Sequence, residues 1–286
     1  MDWTDRRRRF RAILAGDRCV HPGSVYDPIS ARIAEDLGFE LGMFAGSTGS
    51  LAVLGAPDLV VLTLTEFAQQ ALRINRAGGL PLLVDADHGY GNALSVMRTV
   101  QELETAGVAG MTIEDTALPQ PYGAGQPRLL SVEEGLGKMR AAVAARQDPN
   151  LVILARSSAV TIAGTEEAVA RAKAYAVTGV DGFFLPGVTR RAEVEPIAAA
   201  IDLPLVIASA TGELADQDWL RANRVRVGLQ GHQPFQAAVQ AVYATLKALR
   251  EGTAPKDLQN LAPPALMRQV TRESDYQGWT RDFLGG

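Results

Sequence analysis

Cysteine is nearly missing: Cys19 stands alone among 286 residues. One thiol makes no intramolecular disulfide and no cysteine-built zinc site. Long apolar runs are missing too, and none approaches the roughly 18 residues that a membrane span needs. Neither sign of charge is in excess, since 28 basic against 32 acidic side chains leave a formal charge of −4. A nucleic-acid surface would want a clustered surplus of Lys and Arg, so no nucleic-acid partner is expected. No low-complexity stretch or Pro-rich linker splits the chain. With 47% hydrophobic and 21% charged residues the composition is globular rather than disordered. A chain this long buries roughly three quarters of its unfolded surface, enough to fold without a staple. The expectation is a single-core domain over 1–286.

The N-terminus carries a basic run of Arg6, Arg7, Arg8, Arg9 and Arg11 before "AILAG". A signal peptide needs an apolar stretch of about 7–15 residues. Here Asp17 and Arg18 end the apolar stretch too soon, so a cytoplasmic protein is expected. Phe10, Ile13 and Leu14 mark one face of a short helix, whose arginines are expected to lie on a solvated surface.

What is present is a regular alternation. Short apolar runs stand around Cys19 and at 41–46, 81–87, 110–115, 151–156, 181–187, 203–209 and 225–229. Each is bounded by Gly, Pro or Asp and has the length of a buried parallel strand. Helical patterns lie between them, as at 64–77, 93–106, 132–146 and 166–178. Eight β/α units predict an α/β fold, a (β/α)8 TIM barrel. An open doubly wound sheet would want a glycine fingerprint after its first strand. "GYG" at 89–91 lacks the third glycine, and "GLGKM" at 135–139 lacks the hydroxyl residue of a P-loop. Two regions fall outside the repeat. One is the loop 115–129, long enough to be a lid or binding loop. The other is a C-terminal extension, 254–286, carrying Trp279 and Phe283, expected to pack on the barrel or on a neighbouring subunit.

Active sites of such barrels lie at the C-terminal ends of the strands. Asp85 and Asp87 close the third strand two residues apart, a spacing that predicts one shared face. Glu114 closes the fourth strand, and Asp58 lies in the loop after the second. Four carboxylates at one rim repel one another unless a cation neutralises them, and oxygen-only ligands suit Mg²⁺ or Mn²⁺ rather than zinc. The alternative is that each acid caps a helix or pairs with a basic residue. Arg156 closes the fifth strand, where it either completes a structural ion pair or holds a substrate carboxylate bidentately. "AGSTGS" (45–50), with Ser47, ends the second strand with hydroxyls and backbone N–H groups suited to an anion. His232 comes after the eighth strand.

"PGSVYDPISARIAEDLGFE", "AGSTGS", "LTLTEF", "VDADHGYGNA", "VMRTVQELETAGVAGMTIED" and the "AR" after the fifth strand together resemble the phosphoenolpyruvate mutase/isocitrate lyase superfamily. The resemblance spans about 22–235, and "VDADHGYGN" with "IED" after it is its most specific part. It implies that Asp85 contacts Mg²⁺, with Asp58, Asp87 and Glu114 acting directly or through water. It further implies that Ser47 and neighbouring backbone hold a substrate carboxylate, that Arg156 holds another acidic or keto oxygen, and that Tyr26 lines the pocket. A homo-oligomer, a tetramer with exchanged C-terminal helices, is implied as well.

Departures from the family pattern narrow the branch. Lyases of the superfamily carry a Cys in "KKCGH" or similar that protonates the departing carbanion, whereas this chain reads "QPYGAGQP". The "ARTDA" usual in the phosphonate enzymes is "ARSSA", and the family's Asn after the seventh strand is replaced near Ser209. With His232 outside the common pattern, the chain looks most like the oxaloacetate decarboxylase branch. The expected reaction is Mg²⁺-dependent decarboxylation of a small 2-keto dicarboxylate, oxaloacetate, to pyruvate and CO2 through a metal-stabilised enolate, with Arg156 and His232 as catalytic and substrate-binding residues. A C–C lyase, a phosphonopyruvate-processing enzyme and a non-catalytic metabolite-binding barrel stay open as alternatives.

Overall fold

Eight short strands carry the expected alternation. They are β1 (Gly23–Ser24), β2 (Gly42–Phe44), β3 (Leu82–Asp85), β4 (Gly110–Glu114), β5 (Val152–Arg156), β6 (Gly182–Leu185), β7 (Leu205–Ile207) and β8 (Val225–Gly228). In this computed structural model, which describes residues 2–285, each strand pairs in parallel with the next in sequence. Val20 closes the ring: its N–H donates to Arg226 O (2.8 Å) and its carbonyl accepts from Gly228 N (3.0 Å). The first strand is therefore shorter and later than the run around Cys19 suggested. Pro22 has no N–H to give a ladder, so the segment splits, Val20 joining β8 and Gly23–Ser24 joining β2.

The helices that matter below are α1 (Thr4–Ala15), α2 (Pro28–Asp36), α3 (Leu64–Arg76), α4 (Ala93–Thr105), α5 (Val132–Ala145), α6 (Thr165–Ala176) and, after β8, α7 (Gln233–Arg250). Their starts are written locally. Asp27 and Ser30 form a reciprocal capping box at α2, and Thr63 and Glu66 form one at α3. Asn92 and Ser131 accept from the first turns of α4 and α5. Each of these caps fixes where the loop from a strand's C-terminal end must stop, after a short loop at Asp27 and Asn92 and a long one at Thr63 and Ser131.

Two apolar layers result. The inner one fills the barrel with Leu41, Met43, Leu83, Val152, Leu154, Phe184, Val206 and Val227, together with Phe10 and Leu14 of α1. The outer one lies between strands and helices and includes Phe44, Phe67, Val84, Met111, Ile113, Ile153, Tyr175 and Phe183.

The basic run of α1 is only in part the solvated face expected of it: Arg8 and Arg9 are exposed, but Arg7 is buried and Arg6 and Arg11 are partly so. Arg6 donates to the carbonyls of Asn75 (2.9 Å) and Gly78 (2.7 Å), and Arg7 to those of Val108 (3.1 Å) and Glu104 (2.6 Å). Arg11 reaches Leu151 O and Asp181. These carbonyls belong to segments entering the barrel, and a guanidinium with five donors is the side chain that can hold several of them at once. The face that looks polar by periodicity is thus used to fasten the N-terminal helix to the strand-entry side.

The chain divides into two compact units, Met1–Gly231 and His232–Gly286. The second starts earlier than the 254 boundary read from sequence and contains α7, a 3-10 turn and two more helices, Pro264–Thr271 and Glu273–Leu284. None of the residues of α7 is buried, and Val239, Val242, Tyr243 and Leu246 are exposed along it.

Candidate active site

β3, β4 and β5 end side by side, and their last residues bring Asp85, Glu114 and Arg156 together. Arg156 Nη1 is ion-paired with Asp85 Oδ2. Its Nε lies 3.7 Å from Glu114 Oε2 and, although buried, donates no hydrogen bond among the described residues. The guanidinium carbon stands 5.5 Å from the centroid of the Phe184 ring, contributed by β6. Burial opposes the Arg156 charge, but Asp85 and Glu114 outweigh it and hold the group firmly protonated. Asp85 Oδ1 accepts from Thr112 Oγ1 (2.8 Å) and from the N–H of Asp87 (3.2 Å), and Glu114 Oε2 accepts from Thr116 Oγ1 (2.7 Å).

Asp87 differs from its expected placement on one strand face with Asp85. The strand stops at Asp85, and the adjoining "ADHGYG" turn has positive φ at Asp87 (47°), Gly89 (72°), Tyr90 (58°) and Gly91 (147°). Left-handed backbone breaks the two-residue alternation on which that expectation rested. The Asp87 carboxylate lies instead against Gly46 at the end of β2, where a Cβ would come within 2.7 Å of Oδ1. Only glycine leaves that space. Burial, and then the neighbouring Asp85 and Glu114 charges, push the Asp87 carboxyl well above the usual carboxylate range. Glu114 is raised by burial, against the pull of Arg156.

Asp58 is exposed in the loop after β2, and its charge is felt at Asp87. Ser47 stands half-buried in the short helical turn Gly46–Gly49, and Tyr26, two residues past the end of β1, is partly buried. His232 is the first residue of the C-terminal unit and precedes α7.

Three buried polar residues around this rim were not singled out from sequence. Asp115, next to Glu114, is fully buried and bound by Arg171 Nη1 (2.8 Å) and Tyr175 Oη (2.8 Å). Lys138 of α5 is buried and donates to the carbonyl of Glu114 (3.4 Å). His88 is buried with Nδ1 unpartnered among the described residues, and burial, then the Lys138 charge, holds its pKa down to about 4. His88 and Asp115 close the "DADH" and "IED" motifs, whereas Lys138, in "GLGKM", has no sequence signal that ties it to the rim.

The loop after β4 has more structure than its composition suggests. Thr116 and Leu129 form an antiparallel bridge, Ala117 N donates to Arg128 O (2.8 Å) and Leu130 N to Asp115 O (2.7 Å). This stalk carries residues 118–127, which include no Cys, Lys or His.

The donors gathered here are carboxylate oxygens, a set suited to a hard divalent cation. The structural sign of fit is the crowding of acids around Asp87, countered by one guanidinium. Among the described residues no three His, Cys, Asp or Glu are arranged to hold an ion by themselves.

The family model described as phosphoenolpyruvate phosphomutase matches residues 10–250. An oxaloacetate decarboxylase of Bradyrhizobium sp. (strain ORS 278) is 58% identical over 280 residues, covering 98% of this chain and 97% of its own. Among solved structures, an oxaloacetate acetylhydrolase in complex with the inhibitor 3,3-difluorooxalacetate superposes with a TM-score of 0.85 at 28% identity, covering 99% of this chain and 98% of that one. A phosphonopyruvate hydrolase in complex with oxalate and Mg²⁺ does so with a TM-score of 0.85 at 26% identity, covering 98% and 99%. With the matched span running from within α1 through the last residue of α7, the chain belongs to the phosphoenolpyruvate phosphomutase family.

Proposed function

We propose that this barrel catalyses the decarboxylation of oxaloacetate to pyruvate and CO2, with Mg²⁺ as its resident ion and Mn²⁺ able to substitute. The observation that carries the reading is the rim itself: Asp85, Asp87 and Glu114 around Arg156, beside a loop without a Cys, Lys or His to protonate a carbanion. The decarboxylase relative and the acetylhydrolase, both named for oxaloacetate, support the substrate class. The oxalate–Mg²⁺ complex of the hydrolase supports the metal.

Asp85 would hold the ion directly, with Asp87, Glu114 and Asp58 acting through water. Mg²⁺ often keeps several waters when it binds through few carboxylates. When bound, the ion supplies Lewis-acid polarisation of the 2-keto oxygen and stabilises the negative charge that develops there. The chain's own residues do the rest. Arg156 offers a planar fork to a carboxylate or keto oxygen, and the ring of Phe184 supports its plane. Ser47 and the backbone of its turn receive a carboxylate of the substrate, and Tyr26 lines the pocket. His232 donates a hydrogen bond that strengthens as the oxygen gains charge. Breaking the C3–C4 bond releases CO2 and leaves its electron pair in the enolate of pyruvate. The enolate then takes a proton at C3 from solvent to give pyruvate, and no base has to remove a proton from carbon, so the missing loop acid does not block the reaction.

The test is a Mg²⁺ assay of oxaloacetate, phosphonopyruvate and 2-methylisocitrate side by side. Pyruvate release from oxaloacetate above a metal-only blank is expected. Preferred turnover of either other compound would transfer the site to a sister activity, and no turnover with no Mg²⁺ affinity would make it a binding barrel. We also assign the protein to a homo-oligomer, a tetramer, on the exposed apolar residues of α7 and of the tail around Trp279 and Phe283. We also place the protein in the cytoplasm; among the described residues no helix is long and apolar enough to cross a membrane.

A further inference from the structure

Behind the rim lies a polar cluster that the proposed chemistry does not use. Asp115 Oδ2 accepts three hydrogen bonds, from Ser157 Oγ (3.0 Å), Arg171 Nη1 (2.8 Å) and Tyr175 Oη (2.8 Å). Arg171 extends the cluster, Nη2 donating to Leu130 O (2.9 Å) and Nε to Glu167 (2.8 Å). Asp115, Ser157 and Tyr175 are fully buried and Arg171 nearly so. Burying a carboxylate and a guanidinium has a large desolvation cost, and apolar packing would serve stability as well. The molecule makes specific room for this pair. At Gly135 of α5 a Cβ would stand 2.1 Å from Tyr175 Oη, so the phenol reaches Asp115 through a notch in that helix.

The four anchored pieces are separate in sequence and adjacent to the site. Asp115 is next to Glu114, and Ser157 is next to Arg156. Leu130 is the foot of the 117–128 stalk, its N–H bound to Asp115 O (2.7 Å). Arg171 and Tyr175 belong to α6, the helix between β5 and β6. We infer that Asp115, Arg171 and Tyr175 are positioning residues that hold the foot of the stalk and the strand end bearing Arg156 as one rigid piece. The inference rests on the proposed role of Arg156 only for its activity readout.

Two variants test it in the full-length protein. Tyr175→Phe removes the hydroxyl donor and leaves the ring in place. Arg171→Lys keeps the charge but cannot hold Asp115 and Leu130 O together. Arg128 is the one basic residue in the loop and is exposed, so trypsin cleavage after it reads the stalk directly. Below the melting transition, cleavage there should quicken about tenfold in Tyr175→Phe relative to cleavage at other arginines, and more in Arg171→Lys. With oxaloacetate and Mg²⁺, kcat should fall several-fold while the Mg²⁺ requirement stays unchanged. A role in stability alone would lower Tm and leave both readouts untouched, and that result overturns the inference. If Arg171→Lys does not fold, Tyr175→Phe decides. If the wild type does not turn over oxaloacetate, the functional reading fails while the cleavage rates still judge the cluster.

Discussion

Asp85 takes part in three interactions at once, through Arg156, Thr112 and the Asp87 backbone, so its substitution tests more of the site than any other. Asp85→Ala should remove nearly all activity. In thermal denaturation, saturating Mg²⁺ should raise the wild-type Tm by several degrees, since ligand at about 100 times its Kd adds roughly 2.7 kcal/mol. Asp85→Ala should show no such rise. Full turnover after exhaustive chelation would contradict the assignment. His232 makes a sharper separation. A donor to a developing oxyanion is worth about 2.7–4 kcal/mol, or roughly 10²–10³ in kcat. His232→Ala should lose about that much, and His232→Gln, which keeps an N–H donor, clearly less, with Mg²⁺ affinity unchanged in both. Wild-type kcat/KM in His232→Ala would make the residue structural.

At this scale the sequence was legible where a residue ends an apolar run. Asp85, Glu114 and Arg156 stand at strand ends because the runs stop there. The local backbone at Asp87 was not legible, because a left-handed turn cannot be read from a two-residue spacing, yet its carboxyl still lies among the charges of Asp85 and Glu114. Asp115 and Tyr175 were opaque for another reason. One acid beside a motif and one aromatic on a helical pattern do not disclose that they meet across 60 residues of chain.

Among the elements, α1 shows most plainly how a local pattern can mislead. Its charged face looks solvated, yet Arg7 is buried, with Nη1 2.9 Å from Asp148. Burial opposes ionisation of Asp148, but hydrogen bonds from Arg7, Asn150 and Thr4 outweigh it and hold its pKa down to about 2. A depressed carboxylate stabilises the fold fully above its unfolded value of 3.8, and that contribution fades as pH falls toward about 2. Asp148→Asn should therefore cost about 1–2 kcal/mol near neutrality, allowing for partial solvent screening. The difference from wild type should shrink below about pH 4 and be lost as pH falls through about 2. Urea unfolding at a series of pH values measures it, and a gap constant with pH would refute the assignment. The strands and capped helices were legible because period and cap residues are local properties. The stalk of the 117–128 loop was not, since its ladder pairs residues across a Pro- and Gly-rich span.

For the whole molecule, the eight-unit barrel was legible because most strands, β2 to β7 above all, read as short buried apolar runs with helices outside them. Its closure through Val20 and the fastening of α1 depend on contacts too distant in sequence for any pattern to reveal. The exposed apolar residues of α7 lead to a concrete expectation: light scattering at micromolar concentration should give a multiple of the 30.5 kDa chain mass. A monomer would contradict the assembly. The N-terminal plug also orders events during synthesis. Arg11 pairs with Asp181, made 170 residues later, and Phe10 lies in an apolar layer whose other members extend to Val227 and Leu229. At about 5–20 residues per second on a ribosome, the first helix made waits roughly ten to forty-five seconds before its last partner exists. The earliest part of the barrel to be translated is among the last to be seated.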